Sequence, residues 1–144
     1  MNSFIKDFSL GFMDSITMGM SMSAGMYVSK IPREIIIAAL VSETIAGTAS
    51  MSLSNYIGTE NILSSIIICI SFILGSLIVI SSYYYTTTAT AGFYNSIIYG
   101  ILSLSIFSYF RSIYLETTFT DSLFKTLFTG LVSVLFTYYI SKPT

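Results

Sequence analysis

Residues 62–82 read ILSSIIICISFILGSLIVISS, a run without a single charged side chain. A helix needs about 20 mainly apolar residues to cross the hydrocarbon core of a bilayer. This run therefore predicts a membrane-spanning helix. Strands of a membrane barrel fit less well, because those are about 10 residues long and alternate between apolar and polar side chains.

Four further apolar stretches lie on either side of this run, separated by short polar breaks. The five predicted spans cover residues 8–29, 34–57, 62–82, 89–110 and 122–140. The breaks contain residues that suit helix ends: Pro32 for a first turn, Gly58 for a helix end and Asp121 for a helix cap. We predict an all-α fold, an integral membrane bundle of five transmembrane helices that forms one domain over residues 1–144.

The composition supports a multi-pass protein in contact with membrane lipid. Only 9% of the residues are charged, against about 25% in soluble domains. The six Lys and Arg residues form no basic cluster, which argues against a nucleic-acid partner. With no histidine and no evident nucleophile–base pair, we expect no enzyme activity. Cys69 is the only cysteine, so an intrachain disulfide is excluded.

The positive charges do not orient the bundle. Five spans would place one group of three cations at one side of the membrane and the other three at the opposite side. The groups are Lys6, Arg111 and Lys125, and Lys30, Arg33 and Lys142. The positive-inside rule gives no preference for three against three.

The first two predicted spans differ from the rest in chemistry. They hold two acids, Asp14 and Glu43, and every methionine except Met1. Carboxylates inside a bilayer cost about 2.5–3.5 kcal/mol and persist where they face the bundle interior or a pathway. Neither acid has an obvious cationic partner on its own helix, so protons or a bound cation should neutralise them.

The spacing of these residues indicates a shared site. Residues four apart lie on one helix face, which groups Asp14 with Met18, Met22 and Met26, and Glu43 with Met51 and Asn55. A short connection makes the two helices an antiparallel hairpin. A second ridge of small residues, Ser42, Ala46, Ser50 and Ser54, suits close helix packing. Carboxylate oxygens bind any dication and thioether sulfur favours softer transition metals, so this pattern predicts a divalent metal site.

Structural explanations compete with the metal site at each position. Methionine is a flexible packing residue, and this reading is preferred for Met13, Met20 and Met26. The acids could instead be protonated and hydrogen-bonded to a serine or a backbone carbonyl. Asn55 and Tyr56 fit interfacial anchoring as well as a pathway.

Two segments resemble the vacuolar iron transporter family, which includes the nodulin-21-like proteins. Residues 11–17, GFMDSIT, resemble its first span, and residues 43–51, ETIAGTASM, followed by Asn55 and Tyr56, resemble its second. The resemblance covers about the first 60 residues. It implies a homodimer in which Asp14, Glu43 and Met51 line a path for iron(II), sometimes manganese(II), exchanged for protons. The metal would be transported substrate, and no cofactor is expected.

The chain departs from that family in two ways. Only residues 58–61 separate the second and third spans, so the cytosolic metal-binding domain of many members is absent and the chain resembles a short form. Asn55 also stands where the family has a glutamate. We predict a transporter of divalent transition metals with a metal site of Asp14, Glu43, Met51, Met18 and Met22. The alternative is a non-transporting membrane scaffold or accessory subunit that keeps the family fold.

Overall fold

The computed structural model describes residues 2–114 and 116–142, and regular structure there is α-helical. The helices are α1 (Asn2–Val28), α2 (Arg33–Thr59), α3 (Ile62–Tyr84), α4 (Ala89–Tyr114) and α5 (Phe119–Ile140). The number of helices is as predicted. Three boundaries extend past the predicted spans by three residues or more: α1 begins at Asn2, α4 ends at Tyr114 and α5 begins at Phe119. A span is defined by its apolar length, whereas a helix continues through polar residues as long as its backbone hydrogen bonds are made.

Two predicted helix ends are wrong. The residue that ends α2 in the left-handed conformation is Glu60, with φ of 53°, and Gly58 stays helical. Thr118 occupies the cap position of α5. Asp121 lies in the first turn instead, where its carboxylate accepts a hydrogen bond from Lys125 at 2.8 Å. An acid in that turn still complements the helix dipole, which explains why the sequence alone does not separate the two positions.

The centre of the bundle is α1, which contacts all four other helices and packs most extensively on α3. The second helix lies at the periphery against α3, and much of its surface is exposed. The fully buried core draws on every helix. Its members are Ile16, Met20, Ala24, Ile36, Leu40, Ile68, Phe72, Val79, Ile80, Tyr83, Phe93, Leu104 and Val134.

Four helices, α2 to α5, are long and apolar enough to cross a membrane. The 27-residue α1 is long enough, but serines, glycines and Asp14 make it less apolar than its neighbours. Its central place explains this composition, because side chains that face other helices need not be as apolar as those on the outside of a bundle.

Small residues bring α1 and α3 unusually close. Gly11, Ser15, Gly19 and Ser23 recur every four residues along α1 and face Ser71, Gly75, Val79 and Tyr83 of α3. A Cβ atom added to Gly75 would lie 2.6 Å from the carbonyl oxygen of Phe12, and one added to Gly11 would lie 2.5 Å from that of Ile68. Packing of this kind holds helices together without large apolar side chains.

Candidate functional site

Glu43 lies on the side of α2 that faces the bundle. Its side chain is half-buried. Gly47, one turn further along, sits against Phe72 of α3, where an added Cβ would lie 2.5 Å from the ring. The Oε1 atom of Glu43 is buried and has no hydrogen-bond partner among the described residues. A buried carboxylate oxygen without a partner is costly, so this position calls for a proton, a cation or a polar group from another molecule.

Asp14 approaches Glu43 from α1. The two carboxyl groups are close enough for their charges to interact. Asp14 is half-buried, on a stripe of α1 whose neighbours one turn away, Leu10 and Met18, are 52% and 40% exposed. The two acids therefore lie on neighbouring helices within electrostatic reach of each other, and their shared metal site stays a prediction.

Two further side-chain oxygens on α2 are buried without a hydrogen-bond partner in the described part of the chain, as Oε1 of Glu43 is. The hydroxyls of Thr48 and Ser52 are buried and have no hydrogen-bond partner among the described residues. From Glu43 to Ser52 the helix rises roughly 14 Å. The three unpartnered oxygens therefore lie at different angles around α2, with Ser52 roughly opposite Glu43, and the two hydroxyls were not singled out from the sequence.

The methionines differ in how deeply they are buried. Met20 is buried in the core at 1% exposure, and Met13, Met22 and Met26 are partly buried against that core. Met18 is exposed, so Met22 and Met18, both predicted ligands, differ in their surroundings. Met51 is half-buried on α2, two turns beyond Glu43.

The polar residues near the end of α2 have separate roles. The side-chain amide of Asn55 donates hydrogen bonds to the hydroxyls of Ser64 and Ser65, at 2.9 and 3.0 Å, and so ties α2 to the start of α3. Tyr56 is 43% exposed and lines a shallow groove that includes Cys69. The side-chain N–H groups of Asn55 are used in these hydrogen bonds between helices. Its side-chain oxygen takes no part in them.

Asp14 also lines a cavity of about 570 Å³. It opens between α1, the end of α4 and the start of α5, and Asp14 lines it together with Lys6, Arg111 and Lys125. Two of these cations come from α4 and α5, so Asp14 shares the cavity with charges that its own helix does not carry.

The described residues contain no group of three or more His, Cys, Asp or Glu side chains that could hold a metal ion. Asp14 and Glu43 supply only two carboxylates. A complete set of ligands would have to include thioether, hydroxyl or backbone oxygen atoms, water, or a second copy of the chain.

Sequence comparison with known proteins identifies no family for this chain. No protein-family model matches this chain, and no curated protein matches it in sequence. The resemblance to the vacuolar iron transporter family stays a prediction, carried by residues 11–17 and 43–56 alone.

Proposed function

We propose that this protein is a multi-pass membrane protein that moves a divalent transition metal ion, iron(II) or manganese(II), in exchange for protons. The observation that carries the proposal is the Oε1 atom of Glu43, which is buried without a partner among the described residues, in a carboxyl group within electrostatic reach of Asp14.

The membrane setting is supported by the exposed surface. Large apolar side chains cover the outside of α2 to α5, with Ile45, Ile57, Leu63, Phe124 and Phe136 each at least two-thirds exposed. Soluble monomers rarely expose large continuous apolar patches. Such a surface is matched by lipid acyl chains.

The ion would bind at Glu43, whose carboxyl group supplies oxygen ligands. Met51 lies on the same four-residue stripe of α2 as Glu43 and Gly47, and would offer a thioether further along the path. Oxygen ligands with one thioether favour a transition metal over magnesium or calcium, and the lack of thiolate and imidazole keeps affinity moderate enough for release. Because a carboxylate binds metal only when deprotonated, protons and metal compete at Glu43.

A homodimer would complete the site. The open stripe of α1 beside Asp14 and the exposed small residues of α2, among them Ala46 and Ser50, would allow a second copy to approach closely. The second copy would bring another Asp14 and Glu43 to the ion. The site would then have four carboxylates, whereas one chain supplies two.

Uptake of iron(II) into liposomes under an imposed pH gradient tests this proposal. We expect flux driven by the gradient, metal binding that weakens as pH falls, and loss of both in Glu43→Gln. Glu34→Gln is the matched control, since Glu34 is an exposed acid on the same helix. Equal flux in wild type and Glu43→Gln would overturn the proposal.

An accessory membrane subunit is the second candidate, favoured by the exposed outer face of α2 and by the absence of a three-ligand cluster in the described residues. Under this function, purified protein binds no metal at any pH, and substitutions on the outer face of α2 abolish capture of a partner.

A further inference from the structure

The charged cavity beside Asp14 has features that metal transport does not use. Three of the chain's six Lys and Arg residues line it, and they come from three helices: Lys6 from α1, Arg111 from α4 and Lys125 from α5. A cleft lined by charges of one sign attracts ions of the opposite sign. The convergence of these cations therefore favours an anion in the cavity.

The chain supplies little negative charge there. Lys125 pairs with Asp121 at 2.8 Å, and Asp14 is the one acid among the residues that line the cavity. Lys6 and Arg111 make no ion pair with any described residue. The walls of the cavity therefore carry more positive than negative charge.

One donor in the cavity wall is also unused. The Nε–H group of Arg111 is buried without a hydrogen-bond partner among the described residues. A guanidinium group is a planar fork of donors that matches carboxylate and phosphate oxygens. The hydroxyl of Thr126, which also lines the cavity, donates to the carbonyl oxygen of Ser122 and does not accept from Nε of Arg111.

We infer that this cavity binds a phosphate group, held by Arg111, Lys6 and Lys125 at one end of the bundle. The excess of positive charge on the cavity wall matches an anionic phosphate group. The volume of about 570 Å³ is ample for such a group. Leu10 and Met13 give the cavity an apolar side, so the phosphate could belong to a phospholipid or to a soluble molecule. This inference does not depend on metal transport.

Two probes separate these sources. The full chain in neutral detergent is titrated with inorganic phosphate, and the same chain in nanodiscs is compared between phosphatidylglycerol and phosphatidylcholine. Binding of inorganic phosphate indicates a soluble ligand. Preferential retention of phosphatidylglycerol, without binding of inorganic phosphate, indicates a lipid headgroup.

Variants test whether the cavity is responsible. Loss of a charge-assisted hydrogen bond should weaken binding by about tenfold or more in Arg111→Gln. Lys6→Gln should weaken it as well, and because Lys6 is exposed the variant should fold normally. Lys142→Gln removes an exposed cation outside the cavity and should leave binding unchanged. The inference fails if neither probe binds, or if Lys142→Gln weakens binding as much as Lys6→Gln and Arg111→Gln do.

Discussion

At the scale of single residues, the surroundings of the two acids differ, although the sequence treats them alike. Both were predicted as equal members of one site. In the structure, Asp14 shares a cavity with three cations, whereas the buried Oε1 of Glu43 has no partner among the described residues. Glu43 is therefore the stronger candidate for binding a cation, and Asp14 contributes its charge from the neighbouring helix.

Met51 provides a test of thioether ligation. We expect Met51→Ala to weaken binding of iron(II) and cobalt(II) by about tenfold, equal to about 1.4 kcal/mol, with a smaller effect on manganese(II), because thioether sulfur prefers softer ions. Titration of each metal into the purified protein measures this. Met26→Ala is the control, since Met26 packs against the core. An equal loss for all three metals would point to a structural role for Met51.

At the scale of helices, the sequence predicted the elements but not their closest contact. Long apolar runs and polar breaks determine where the helices occur, so all five were predicted. The small-residue ridge that was predicted to pack, Ser42 to Ser54 on α2, lies on exposed surface. The ridge that packs is on α1, where Gly11, Ser15 and Gly19 meet α3. Its four-residue repeat was visible in the sequence, but repeat spacing does not say which helix faces which.

Replacing Gly75 tests the contact between α1 and α3. An added methyl group would lie 2.6 Å from the carbonyl oxygen of Phe12, so backbone must move. Overpacking of this kind costs about 1–3 kcal/mol, and we expect Gly75→Ala to lower the midpoint of thermal unfolding in detergent.

Gly58→Ala is the matched control for that substitution. Gly58 also lies in a helix, but an added Cβ would meet no atom within 4 Å. Alanine favours helix over glycine by up to about 1 kcal/mol, so this variant should be neutral or slightly stabilising. Equal destabilisation by both changes would show that the contact does not limit stability.

At the scale of the whole molecule, the arrangement of charges could not be predicted from one sequence. Five alternating helices did place Lys6, Arg111 and Lys125 at the same side, and the structure brings them to one cavity. Whether cations at the same end meet or stay apart depends on which helices are neighbours around the bundle. That information lies in tertiary packing, where α1 touches both α4 and α5.

Cross-linking tests the proposed homodimer. In a Cys69→Ser background, which leaves no other cysteine, we expect Ser50→Cys to form disulfide-linked dimers in membranes, because small exposed residues of α2 would meet their copies. Leu135→Cys, at an exposed position of α5, should stay monomeric. Gel electrophoresis without reductant provides the readout, and dimers from Leu135→Cys alone would place the contact on α5 instead.

The central place of α1 has a consequence for how the chain assembles. The helix that precedes all its neighbours in the chain is also the one whose packing surface is supplied mostly by segments translated later, α3 above all. Until α3 has been synthesised, Gly11, Ser15 and Gly19 lack the helix that they pack against. Asp14 is then also without its complete surroundings. Biogenesis must therefore hold a weakly apolar first helix until the third arrives, and a chain truncated before α3 should be a preferred substrate for membrane quality control.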